Sequence, residues 1–184
     1  MADNLLSFAE EVGRDIAGLQ GRFHEGVGAP EGKVAAPVGT SYVDSAATTG
    51  AIRWIKTSGT GNTGWKVEYG DTGWRDISAD ISDRESGRIL LRRIGDQVFL
   101  VADALKLTTT GSVPLPRLGS DFWPVSRVRG TWNEPLSADL AKGSYNISSS
   151  GFFNVYGVGT SGIVFSETYL TDRSWPTTLT GTPA

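Results

Sequence analysis

Covalent catalysis in proteins draws mostly on histidine, cysteine, activated hydroxyls and paired carboxylates. This chain holds one histidine and no cysteine. A Cys–His pair is therefore impossible, and a Ser-His-Asp triad would have to recruit His24. His24 closes the amphipathic N-terminal segment and sits beside a glycine. A lone imidazole there is expected either to meet the negative end of a helix or to face solvent. No H-E-x-x-H, calcium-loop or P-loop pattern occurs, so no metal or cofactor is expected. Asp121, Glu134, Asp139, Glu167 and Asp172 all lie in the distal part, where two carboxylates could flank a glycosidic bond. The chain has 20 acidic residues, so chance pairs are common, and the expectation is a protein that is not an enzyme.

Aromatic rings carry the better functional signal. Trp123, Trp132, Tyr145, Tyr156, Tyr169 and Trp175 all lie in the distal part. Indole and phenol faces stack on the apolar faces of sugars while a polar rim orients the ligand. The same rings are also what fills the space between two packed sheets, and core packing is the first expectation for each. Trp123 and Trp175 each precede a proline in an irregular stretch, which makes them the expected exceptions. Trp132 joins them as a third candidate ligand contact.

The arginines support no nucleic-acid surface. Arg84, Arg88 and Arg92 recur every fourth residue, as on a basic helical face. Asp80, Asp83, Glu85, Asp96 and Asp103 are interleaved with them, and the formal net charge is −3. Neither nucleic acid nor membrane insertion is expected, since no apolar run is long enough to span a bilayer. Without cysteine there is no disulfide framework. The opening MADNLLSFAEEVGRD lacks a basic stretch followed by an apolar core, so it is not read as a secretory leader.

These side chains need elements to position them. Gly is abundant at 24 residues and hydrophobic residues make up 39%, a balance that favours strands and tight turns. One helix is expected, over residues 4–25. Leu5, Phe8, Val12, Ile16, Leu19 and Phe23 recur at steps of three and four and form an apolar stripe. Ser7-Phe8-Ala9-Glu10 has the form of a capping box, and Gly13 and Gly18 weaken the interior. The run from Gly26 to Val38, rich in Gly, Ala and Pro, reads as an extended linker. A short helix held away from its own core is marginal in water, so its stripe is expected to pack on copies of itself or on a partner.

Residues 39–76 read as a small β module. Ala51–Lys56 alternates as a strand with Ile52 and Trp54 on one face. Trp65, Val67 and Tyr69 share a face on the next strand. Ser58–Gly64 between them is a hairpin tip rich in Gly and Asn. From residue 77 onward, short strands recur at regular intervals between Gly and Pro turns. Arg88–Ile94 and Gln97–Ala102 flank a two-residue turn, and Val125–Trp132, Gly143–Ser148, Gly151–Val158 and Ile163–Leu170 follow. The expected architecture is mainly β: an N-terminal amphipathic α-helix, a small hairpin spacer, and a C-terminal antiparallel β-sandwich or jelly-roll-like domain over 77–184.

The pattern G-T-x-Y-x-D…T-G-A-I-x-W-x-K-x-S-G-T-G-N-T-G-W resembles a small β module common in bacteriophage tail and fibre proteins. It is carried by Gly39, Thr40, Tyr42, Asp44, Thr49, Gly50, Trp54, Lys56, Gly59, Gly61, Asn62, Gly64 and Trp65. The segment order from Arg93-Ile94-Gly95-Asp96-Gln97-Val98 through Leu115-Pro116 and on to Trp175-Pro176 also resembles C-terminal domains of phage fibres and minor tail proteins. The resemblance implies a structural virion protein: a short homotrimeric fibre or minor tail protein, attached by its helix to other virion proteins and adhering to a host-surface glycan. A capsid-bound decoration or head-fibre protein is the alternative. Localisation in the virion, after assembly in the host cytoplasm and release by lysis, follows from the same resemblance.

Overall fold

The computed structural model describes residues 2–134 and 142–184, and in the N-terminal helix the side chains of Leu5, Ser7–Ile16 and Gly18. Among the described residues the architecture is mainly β, with one α-helix. The chain divides into two compact units, residues 1–70 and 71–184.

The first unit opens with helix α1 (Ala2–Gln20), five residues shorter at its C-terminus than its apolar periodicity suggests. Phe23 and His24 belong instead to strand β1 (Phe23–Gly26), which pairs in parallel with β2 (Ser41–Asp44). Gly18 and Gly21 weaken helical propagation here, and a distant strand offers backbone partners that propensity alone cannot anticipate. His24 is thus a strand residue opposite Tyr42, not a helix-terminal one. Strands β3 (Ala51–Lys56) and β4 (Trp65–Gly70) complete a sheet of order β1-β2-β3-β4. Ile52 and Trp54 do not share an environment. Register shifts around Arg53 leave Ile52 42% exposed while Ala51, Trp54 and Lys56 are buried. An extra residue in one strand breaks the period of two that strict alternation assumes.

The stretch 26–38 is no free linker. Glu31 accepts hydrogen bonds from the backbone N–H groups of Gly64 (3.2 Å) and Trp65 (2.8 Å), and the Trp65 indole donates to the Val34 carbonyl at 2.8 Å. Gly32 and Asn62 bond each other in both directions. The segment therefore lies along the β3–β4 hairpin and ties down its tip.

The second unit is a sandwich of two sheets. One has the order β12-β7-β6-β5-β13, built from β5 (Arg75–Asp76), β6 (Arg84–Ile94), β7 (Gln97–Leu107), β12 (Ile163–Leu170) and β13 (Thr182–Pro183). The other has the order β8-β11-β10-β9, built from β8 (Gly111–Leu115), β9 (Val128–Trp132), β10 (Gly143–Ile147) and β11 (Phe153–Val158). All pairings in both sheets are antiparallel. Gly111–Leu115, a loop by its Gly and Pro content, is an edge strand beside β11. Pro114 is tolerated there because an edge leaves one row of donors unpaired. The short C-terminal strand β13 pairs with β5 and closes the opposite edge of the five-stranded sheet.

The core lies between the inner faces. Leu91, Leu100 and Phe165 of one sheet meet Tyr145, Phe153 and Val155 of the other, all of them buried. Tyr145 stacks on Phe165 with centroids 4.3 Å apart and planes 24° apart. Its hydroxyl donates to Glu167 at 2.7 Å. Burial, reinforced by that carboxylate, holds the Tyr145 phenol well above the ordinary tyrosine range. The two outer faces differ. The four-stranded sheet presents Arg129, Asn146 and Asn154 in cross-strand register, with the Asn146 amide donating to the Tyr156 hydroxyl at 2.7 Å. The five-stranded sheet presents Leu90 opposite Val101 and Arg92 opposite Phe99, with Trp74 edge-on to Phe99.

Candidate functional site

Two surfaces stand out from the packed scaffold: the stripe of α1 and one loop end of the sandwich. In α1, Leu5 is 70% exposed, Phe8 64%, Val12 37% and Ile16 49%. Their spacing places all four on one face of the helix, so a continuous apolar stripe faces solvent in the single chain. Leu19 lies in the helix, but its side chain falls outside the described residues. Phe23, expected to extend the stripe, is 65% exposed but sits on β1 after the helix has ended.

The three candidate tryptophans separate into different roles. Trp132 is 1% exposed, and its indole donates to the Tyr156 carbonyl at 2.9 Å. It is a core residue, because β9 turns it toward β11. Trp175 is also buried, under the guanidinium of Arg93 at 5.1 Å. Arg93 is inward-facing on β6. It donates to the carbonyls of Gly95 (2.8 Å), Asp121 (2.5 Å), Arg173 (2.7 Å) and Ser174 (2.8 Å). Burial lowers its pKa from the ordinary arginine value, opposed by the charges of Asp96 and Asp121. The pair Arg93–Trp175 therefore clamps the loop after β12 to the sandwich. It offers no surface to a ligand.

Trp123 alone of the three is only half-buried. It follows a 3₁₀ turn over Ser120–Phe122 and donates its indole N–H to the Leu118 carbonyl at 2.8 Å. The turn between β10 and β11 passes against the ring. Gly151 there has φ of +79°, and a Cβ at that position would lie 2.2 Å from the indole nitrogen. Only glycine accommodates both the backbone angle and the contact. Over the Trp123 ring lie two guanidinium groups, that of Arg117 at 4.3 Å and that of Arg173 at 5.3 Å. Arg117 also lies over Phe152, at 4.7 Å. Phe152 and Val125, at the same loop end, are each 55% exposed.

No protein-family model matches the chain, and no curated protein matches it.

The loop cluster therefore has to be read from its own chemistry. It combines flat apolar rings, two cations and nearby backbone carbonyls, a set suited to a polar ligand with an apolar face. The sequence singles out Trp123 through the proline that follows it. It does not single out Arg117, Phe152 or Arg173, because they come from three separate loops and nothing local distinguishes them from other surface residues. Of the acidic residues that could form a hydrolytic pair, Glu167 is engaged by the Tyr145 hydroxyl and Asp172 lies 3.5 Å from the Arg173 side chain. Asp139 lies outside the described residues. Among the described residues no group of three or more metal-ligating side chains converges. No helix among them is long and apolar enough to cross a membrane.

Proposed function

We propose that the protein is a non-enzymatic structural component of a bacteriophage virion, a short homotrimeric fibre or minor tail protein. In this reading α1 bundles with its copies and docks to the particle, and the sandwich presents its loop cluster to a host-surface glycan. The observation that carries the reading is the bare stripe Leu5–Phe8–Val12–Ile16. Exposed apolar area of this kind gains roughly 25 cal/mol per Å² when another surface covers it, and a single short helix gains stability mainly by such packing.

Two further features support it. The residue pattern over 39–73 resembles phage tail and fibre modules, and its motif residues are employed in fixing a compact hairpin. The Trp123 cluster supplies exposed apolar area at Phe152 and Val125 beside two cations, and three weak sites on one trimer would act together through avidity. The test is the mass of the purified full chain at micromolar concentration, together with adhesion to host cells. A trimer that binds cells is the expected result. A monomer at that concentration removes both the assembly and the avidity it provides.

A further inference from the structure

We propose that the loop cluster around Trp123 selects an acidic saccharide, with Arg117 as the group that receives a sugar carboxylate. This rests on reading the sandwich as a glycan-binding domain, and it names the chemical class of the glycan.

Arg117 is held by two rings and a backbone carbonyl rather than by a carboxylate. Arg53, Arg88 and Arg92 each pair with a carboxylate, and the buried Arg93 has Asp96 within 3.8 Å. Arg117 has no carboxylate within ion-pair distance among the described residues. It is fixed by two rings, Trp123 at 4.3 Å and Phe152 at 4.7 Å, and by one bond from its Nε to the Ser150 carbonyl at 2.7 Å. A guanidinium lying over aromatic rings keeps its hydrogen-bond donors in its own plane, directed past the ring edges. With Nε engaged, the terminal nitrogens are left as an exposed pair of in-plane donors. Their natural complement is a planar carboxylate, which accepts two parallel bonds.

The surroundings fit a sugar that carries such a group. Arg173 places a second cation on the same indole, and the carboxylate of Asp172 beside it is 65% exposed at 3.5 Å. Phe152 and Val125 leave apolar area beside the cations for the C–H face of a pyranose. The rings are set before any ligand arrives. Trp123 is anchored to Leu118 and Gly151 is shaped to its edge, so binding costs little reorganisation.

The experiment uses the full chain and calorimetry or saturation-transfer NMR with three probes: trigalacturonic acid, its fully methyl-esterified form, and a hexose 6-phosphate. The acid is expected to bind, and the ester, with the same rings but no charge, about tenfold or more weaker. Arg117→Gln is expected to abolish the difference between acid and ester. Arg117→Lys keeps the charge without the fork and is expected to recover only part of it. Unchanged thermal melting of both variants verifies that the cluster still folds. Equal binding of acid and ester overturns the acidic selectivity while leaving glycan adhesion in place. Preference for the hexose phosphate overturns the carboxylate assignment. Failure of every saccharide to bind overturns the proposal together with the glycan reading, whereas the assembly reading is judged separately by the mass of the chain.

Discussion

The side-chain ammonium of Lys56 donates to the carbonyl of Gly61 at 2.7 Å, reaching from inside the hairpin to its tip. Lys56 is 1% exposed, donates also to the Thr63 carbonyl, and lies 5.7 Å from the centre of the Trp65 ring. A buried cation is tolerated when its donors are satisfied in this way. The lysine and the glycine-rich tip of the motif thus serve one another. Lys56→Met removes the donor and leaves tip carbonyls without their partner. It is expected to destabilise the first unit by about 2 kcal/mol. Urea denaturation measures the loss, and faster amide exchange over 61–64 places it.

Arg93 holds the loop at 173–174 in the second unit through its forked donors. Arg93→Lys retains a charge but supplies a compact donor in place of the planar fork, so it cannot serve the same four carbonyls at once. A loss of about 3 kcal/mol is expected, in the range for breaking a buried charged network. Loss of the near-ultraviolet circular dichroism contributed by Trp175 is the local signature. Retained stability in the lysine variant would mean that the loop is held by Trp175 packing alone.

The helix stripe makes a prediction that leaves the sheets untouched. Phe8→Asp with Ile16→Asp puts two charges on the apolar face, where exposure is already 64% and 49%. The assembled form is expected to dissociate, with the thermal transition of the sandwich moving by less than about 2 °C, as expected for surface substitutions outside its core. Sedimentation and calorimetry on the same sample separate the two effects. Unaltered assembly would place the contact on another surface.

Stability should respond to acid through Asp71. Arg92 donates to its carboxylate from Nε at 2.9 Å and again from a terminal nitrogen, and the Gly73 N–H adds a third bond at 2.8 Å. The Arg92 hydrogen bond is the chief cause that lowers the Asp71 pKa, opposed by partial burial. A carboxyl with a lowered folded pKa stabilises the fold above its unfolded value of about 4, and that contribution disappears as the pH falls through the folded value. Asp71→Asn is therefore expected to cost on the order of 1 kcal/mol at pH 7, discounted for a pair still partly open to solvent, and little or nothing below the folded pKa. Urea midpoints across the acid range test the convergence of the two curves.

Much of the strand layout was legible because it is local. Ala51–Lys56, Gln97 onward, Gly143 onward and Ile163–Leu170 appear where alternation and turn residues place them. The elements that were not legible depend on partners far along the chain. Phe23–Glu25 reads as helix until it pairs with Ser41–Val43, and Gly111–Leu115 reads as loop until it docks on β11. The stretch 26–38 reads as a linker because its small residues carry no periodicity. Its order comes from Glu31, Val34 and Gly32 bonding a hairpin tip some thirty residues away.

What the amino-acid sequence determined by itself is the mainly β class, the single amphipathic helix and the hairpin at 51–70. Each follows from side-chain period and turn chemistry over a few residues. Only the tertiary structure decided which tryptophan meets solvent. Trp123, Trp132 and Trp175 carry the same ring, and burial is set by what packs across from it. The sheet core absorbs Trp132, whose indole bonds a β11 carbonyl, a buried arginine covers Trp175, and Trp123 is left at the surface with Arg117 and Arg173 over its face. Those arginines come from loops distant in sequence, so the site exists only once the sandwich has brought its loop ends together.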